Sequence, residues 1–274
     1  MCKKEIKVCY SIRNNLGNAL NPYIIEDILG RKVVWADEYN CETSGIGSGL
    51  RLFFRQPHSM KMDKEVAKDL QPSQIWSAGF LTTPADNVQP IKPLCISSVR
   101  GNLSKAILEK IYGNQWDIKV GDAGLLASEL VREKLSKKHT LGIIPHDRER
   151  DELKYQELHR KLKNSIIIDV RGNPLEIVKT IAECECIVSS SLHGLVVADS
   201  FNIPNKWVKL TNNILGDGFK FHDYYSAFNL KEHVLDLNIV DTIDIDRIKA
   251  EYQVTNTIVN ELKDKIMKSF ETYI

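Results

Sequence analysis

Between residues 141 and 210 short apolar runs alternate with helix-like segments, and that alternation leaves few folds open. Residues 141–146, 165–170, 186–190 and 206–210 read as strands, and residues 149–163, 174–182 and 193–201 read as helices. Asn173 followed by Pro174 supplies the cap and first position of the second of these helices. Strands that are apolar on both faces and joined by helices lie parallel in a sheet covered on both sides. The spacing therefore predicts a Rossmann-like α/β unit, in which ligands are expected where strands end and helices begin.

The third strand carries the strongest local signal. It ends in Ser189, Ser190 and Ser191, and His193-Gly194 then opens an apolar helical segment closed by Asn202-Ile203-Pro204. A histidine in the first helical turn sits beside free backbone N–H groups and partial positive charge, which suits an anion.

With 274 residues, the chain is long enough for one large domain or two ordinary ones. Its 43% apolar content supports a substantial core, and its formal charge of +1 argues against nucleic acid or a polybasic membrane patch as partner. The six cysteines are scattered without zinc-ligand spacing, so neither a metal nor another cofactor is expected. No apolar run reaches the roughly 20 residues that span a bilayer, and the start lacks a signal-peptide core, so a cytoplasmic location is expected.

The first half is harder to parse. Strand 6–10 leads through a polar loop containing Arg13, Asn15, Gly17 and Asn18 to Asn21-Pro22, read as cap and first residue of a helix stopped by Gly30. Gly45, Gly47 and Gly49 alternate without forming a dinucleotide fingerprint. Residues 74–80 and 95–99 read as strands, and 102–112 as a helix, with Arg100-Gly101 at the junction. A guanidinium there can bind carboxylate or phosphate in bidentate fashion, or form an ion pair. Residues 216–225 read as a glycine-led loop, and Ile245, Ile248, Tyr252, Val259, Leu262, Ile266 and Phe270 fall at helical spacing over about seven turns.

Ser190-Ser191-Leu192-His193-Gly194 followed by Asn202-Ile203-Pro204 resembles the signature of the polysaccharide pyruvyl transferase family. Asn15-Leu16-Gly17-Asn18-Ala19-Leu20, Ser98-Val99-Arg100-Gly101, Val120-Gly121-Asp122, Gly142-Ile143-Ile144-Pro145-His146 and the Lys220–Tyr224 loop agree with it. The chain departs from the family pattern at Asn18 and Gly101, where an Asp is common, and at Ser191, where an Arg is common.

The resemblance implies transfer of a pyruvyl group from phosphoenolpyruvate to two hydroxyls of a sugar, as in surface polysaccharide biosynthesis. It also implies two Rossmann-like domains facing each other across a cleft, similar to GT-B glycosyltransferases. These would be residues 1–130 on the acceptor side and 131–244 on the donor side, with 245–274 an amphipathic helix packed on them. By matching motif positions, His193 would be the proton donor or a phosphate ligand, and Asp122 would orient or deprotonate a sugar hydroxyl. Arg100, Lys220, Ser191, Gly194 and Arg171 would hold phosphoenolpyruvate, and Asn15, Asn18, Arg13 and His146 the sugar, which could be lipid-linked. A nucleotide-sugar glycosyltransferase and a non-catalytic carbohydrate-binding protein of an assembly system are the alternatives. The first would need a carboxylate for ribose, for which only Asp199 is offered.

Overall fold

A computed structural model describes residues 4–13, 15–59 and 69–271. Two five-stranded sheets organise the chain. In the first, the spatial order is Lys32–Trp35, Glu5–Cys9, Thr43–Ser44, Ser73–Ile75 and Leu94–Ile96, every pairing being parallel. In the second it is Ser165–Ile167, Leu141–Ile144, Ile187–Ser189, Asn205–Lys209 and Leu235–Asp236, again all parallel. Counted in chain order, both sheets run 2-1-3-4-5. The order reverses between the first and third strands, and the crevice outside their carboxyl ends is where such sheets bind ligands.

The largest apolar cluster draws on both sheets. Val8, Leu16 and Leu20 meet Ile144, Val178, Leu195 and Val196 in it, and the tail adds Val259, Leu262 and Ile266. At its centre the Leu192–Ser200 helix packs against the 3-10 helix Ala123–Leu130, which also packs against the Leu16–Asp27 helix. All nine residues of Leu192–Ser200 are buried. It has no solvent face, which explains its apolar composition all round.

Expected strand 74–80 is confined to Ser73–Ile75, and 95–99 divides into Leu94–Ile96 and Ser98–Val99 of different sheets; three further expected elements differ. The first helix begins at Leu16, capped by Asn15, and carries Pro22 inside it rather than at its start. Proline has no N–H for the carbonyl of residue 18, and the Asn21 side chain takes that role, Nδ2 donating to Asn18 O at 3.0 Å. The same amide donates to Ile46 O (3.1 Å) and accepts from Ile46 N (2.9 Å), so the helix also holds the following glycine-rich loop.

The tail is two helices, Ile245–Glu251 and Asn256–Glu271, instead of one. Tyr252 is extended at the break (φ −68°, ψ 124°), and its hydroxyl donates to buried Asp199 at 2.7 Å. The second tail helix returns to the first sheet, where its Ile266 carbonyl accepts from Trp76 Nε1 (2.9 Å) and Phe270 packs edge-on against Trp76. Finally, only Gly216–Gly218 forms the expected loop; Phe219–Ser226 is a helix.

Candidate active site

A cavity of about 200 Å³ opens where the carboxyl ends of both sheets converge. The segment after Glu5–Cys9 contributes Tyr10, Ser11, Arg13, Asn15 and Asn18, the loop after Thr43–Ser44 contributes Ile46 and Ser48, and the short helix Leu50–Phe53 that follows contributes Arg51. From the second sheet come His146, Asp147 and Arg148 after Leu141–Ile144, and Ser191, Leu192 and His193 after Ile187–Ser189. Lys220, Leu81 and Leu215 complete much of the wall. The lining thus gathers the reversal points of both sheets.

Of the residues singled out from the sequence, Arg13, Asn15, Asn18, His146, Ser191, His193 and Lys220 line this one cavity. Arg100, Asp122, Gly194 and Arg171 do not.

The sharp turn into the central helix is built by the serines. Ser191 donates its backbone N–H to Ser189 Oγ (2.9 Å), and Ser190 Oγ accepts from His146 N (2.8 Å), tying the two strand ends together. Gly194 donates its N–H to Ser191 O (3.1 Å), so the expected free donor at that position is already engaged within the turn.

His193 is 8% exposed, and its ring lies over Gly17. A Cβ on Gly17 would stand 2.0 Å from His193 Nδ1, so only glycine leaves room for the imidazole. Burial first, then the charges of Arg100 and Lys220, pull the imidazole down to about 3. These surroundings favour the neutral ring over the imidazolium.

Asp122 is wholly buried behind His193 rather than on the cavity wall. Its Oδ1 accepts from Gly124 N (2.8 Å) and caps the Ala123–Leu130 helix. Its Oδ2 lies 3.7 Å from His193 Nε2, and both atoms are buried without a hydrogen-bond partner. Burial pushes the carboxyl up to about 6, against the pull of Arg100 and the Gly124 N–H.

Arg100 is also removed from the wall. Its Nε donates to Asp223 Oδ2 (2.9 Å), Nη1 donates to Ser48 Oγ (3.1 Å), and Nη2 reaches Phe80 O. Its fork is therefore committed inside the protein, and it reaches the cavity through Ser48 and through its field on His193 and Lys220. A steric reason accompanies the glycine that follows it: a Cβ at Gly101 would fall 1.7 Å from the Asp223 carbonyl oxygen.

Lys220 is 9% exposed and makes no hydrogen bond or ion pair among the described residues; its Nζ lies 5.3 Å from the centre of the Phe221 ring. Burial, then Arg100, brings its ammonium down to about 8, while Glu149 opposes the shift. His146 is pulled down to about 4, mainly by burial and by Lys220, and its Nδ1 accepts from Arg148 N at 3.1 Å. Arg171 lies outside the cavity, paired with Asp169 (3.1 Å) and Asp147 (3.5 Å).

Sequence reading passed over Arg51, Arg148 and Glu149. Arg51 follows the alternating glycines and Arg148 follows His146, so proximity to a strand end was the available signal. Glu149 is buried beneath the site, where Oε1 accepts from Thr211 N (2.8 Å) and Oε2 from the Tyr155 hydroxyl (2.7 Å).

Residues 91–208 match the family model described as polysaccharide pyruvyl transferase. Over 237 residues the chain is 28% identical to an uncharacterized protein of Acanthamoeba polyphaga mimivirus, covering 84% of this chain and 76% of that one. It is 33% identical over 57 residues to the succinoglycan biosynthesis protein ExoV of Rhizobium meliloti, a stretch spanning 21% of this chain and 17% of ExoV. The matched span, which holds Arg100, Asp122, His146 and the turn into the central helix with His193, is thus similar to the polysaccharide pyruvyl transferase family.

Proposed function

We propose that the chain is a pyruvyltransferase that moves the pyruvyl group of phosphoenolpyruvate onto two hydroxyls of one sugar, forming a cyclic ketal and releasing inorganic phosphate. The observation that carries this reading is the charge of the cavity. Among the described residues, Arg13, Arg51, Arg148 and Lys220 line it against a single carboxylate, Asp147, which already faces Arg171. A small donor bearing both a carboxylate and a phosphate needs such surroundings.

The chemistry assigns the parts. The donor's methylene carbon takes a proton and becomes the methyl group, while one sugar hydroxyl adds to the neighbouring carbon. The second hydroxyl then displaces phosphate from that carbon, and its proton leaves with the phosphate. Lys220 holds the donor's anionic end. His193 delivers the proton: a bound anion beside a neutral imidazole raises its basicity, so the donor itself arms the acid. Asn15, Asn18 and Arg13, on the wall contributed by the first sheet, position the acceptor. In this reading residues 1–130 and 131–244 form the acceptor and donor sides, and the tail helices brace them.

The test is turnover with phosphoenolpyruvate labelled in its methylene carbon and a panel of sugars carrying neighbouring hydroxyl pairs. The reading expects a ketal methyl signal accumulating in step with free phosphate. Cleavage of a nucleotide sugar in the parallel reaction, with no ketal, would overturn it.

A further inference from the structure

Two buried polar atoms at the back of the site have no partner other than each other. His193 Nε2 and Asp122 Oδ2 face one another at 3.7 Å, and neither makes a hydrogen bond. Both lie inside a packed wall: Asp122 is fully buried, and Gly124, whose N–H holds the other carboxylate oxygen, sits against both groups. Leaving a buried carboxylate oxygen and a buried ring nitrogen unpaired is costly, so their pairing across this short gap needs an explanation.

The ring's surroundings supply one. Its Nε2 is sealed toward Asp122, while the Nδ1–Cε1 edge lies over Gly17 at the start of the Leu16–Asp27 helix, next to Asn15 and Asn18 on the cavity wall. Nδ1 is therefore the nitrogen left to exchange protons with a substrate. A neutral imidazole can do so only if its resident proton sits on Nε2, and a carboxylate opposite Nε2 selects that tautomer.

We infer that Asp122 is a positioning residue that acts through His193, fixing the proton on Nε2 so that Nδ1 works as the proton-exchanging atom of the site. This deepens the pyruvyltransferase reading and rests on it for the identity of the substrate, though the tautomer itself does not.

The proton count closes over one turn. The imidazolium, with Nε2–H directed at Asp122, gives its Nδ1 proton to the donor's methylene carbon, whose double-bond electrons form the new C–H bond. Nδ1 is then a bare acceptor and takes the proton of the hydroxyl that adds to the neighbouring carbon. Asp122 stays ionised while the ring is charged, and its Oδ2–Nε2 separation closes to hydrogen-bond length as the site fills. The charged groups around the pair act in opposite directions: Arg100 and Lys220 disfavour the imidazolium, Arg100 favours the Asp122 carboxylate, and Asp223 disfavours it. Opposite Nε2, the Asp122 carboxylate is the acceptor placed to hold the imidazolium's Nε2 proton.

The experiment compares wild type with Asp122→Asn, which keeps the side chain's shape and its Gly124 cap but presents an N–H to Nε2. Long-range proton–nitrogen NMR of the substrate-free protein reads the His193 tautomer without any assumption about the reaction. It should show Nε2–H in wild type and Nδ1–H in the variant; the same tautomer in both would overturn the inference. Kinetics with phosphoenolpyruvate should show kcat falling on the order of 10²- to 10⁴-fold with KM changed less than threefold. Equal loss in binding and turnover would mean a structural role and would also overturn it. Should neither protein turn over phosphoenolpyruvate, the substrate reading fails while the tautomer result still decides the role of Asp122.

Discussion

The Arg100 guanidinium and the Asp223 carboxylate are both completely buried, Nη2 lying 2.9 Å from Oδ2, and they join the end of strand Ser98–Val99 to the Phe219–Ser226 helix. Asp223 is further satisfied by Ser104, whose N–H donates to Oδ1 (2.7 Å) and whose hydroxyl donates to Oδ2 (2.6 Å). Removing one partner strands a buried charge, so Arg100→Ala and Asp223→Ala should each lose about 3–5 kcal/mol of stability. The double variant should lose less than the sum, because neither charge is then left alone. Denaturant unfolding of the three proteins checks this. Additive losses would show that the two groups are not coupled.

Gly17 faces the imidazole so closely that any side chain displaces it. Gly17→Ala gains helix propensity, up to about 1 kcal/mol, and loses about 1–3 kcal/mol to overpacking. The larger effect falls on activity. A ring moved by about an ångström should cost on the order of 100-fold in turnover, with a net loss of stability of at most about 3 kcal/mol. Wild-type kcat in this variant would remove His193 from the mechanism.

The depressed Lys220 ammonium, near 8, predicts a pH dependence. Anion binding requires the charged form, so affinity for phosphoenolpyruvate should hold below about pH 8 and fall above it, approaching tenfold per unit. Lys220→Arg, which keeps its charge, should flatten that limb in calorimetric titrations across pH 7–10. The stability sign follows from the same shift. The unfolded chain holds this proton up to about 10.5 and the folded one only to about 8, so the empty protein gains stability as pH rises between them. Lys220→Met should accordingly raise the melting temperature at pH 7 while abolishing binding.

Asp199 anchors the tail by accepting from the hydroxyls of Tyr224 and Tyr252, both at 2.7 Å, and from Asn205 Nδ2 at 2.6 Å. Tyr252→Phe removes one hydrogen bond to this buried carboxyl and should cost about 1.5–3 kcal/mol. Chemical denaturation measures it, and no change would mean that the Tyr252–Asp199 hydrogen bond adds nothing to the tail's anchoring.

Four strands of the second sheet could be read from sequence because apolar residues dominate them and the helices between carry local signals, Asn173 and Pro174 above all, whereas the two-residue edge strand Leu235–Asp236 carried no such pattern. The first helix was misplaced because the compensation for Pro22 comes from a side-chain hydrogen bond of Asn21, which a proline rule does not contain. The tail break was invisible because the partner of Tyr252 lies 53 residues earlier. Within the site, position after a strand end was legible and side-chain direction was not. His146, Ser191 and His193 turn toward the cavity, whereas Arg100 and Asp122, at equally good positions, turn into the wall. Arg51 lies in the one-turn helix Leu50–Phe53 and Arg148 in a turn, segments too short for periodicity, where only three-dimensional convergence reveals them.

The central claim is that this cationic cavity receives phosphoenolpyruvate, with Lys220 on its anionic end. Calorimetric titration of phosphoenolpyruvate into wild type, Lys220→Ala and His193→Ala tests it most directly, with nucleotide sugars as the parallel ligand set. The account predicts binding by wild type that weakens by about 1.5–3 kcal/mol on loss of the Lys220 charge-assisted contact, and by less on loss of the neutral His193. Absence of phosphoenolpyruvate binding, alongside heat from a nucleotide sugar, would contradict it.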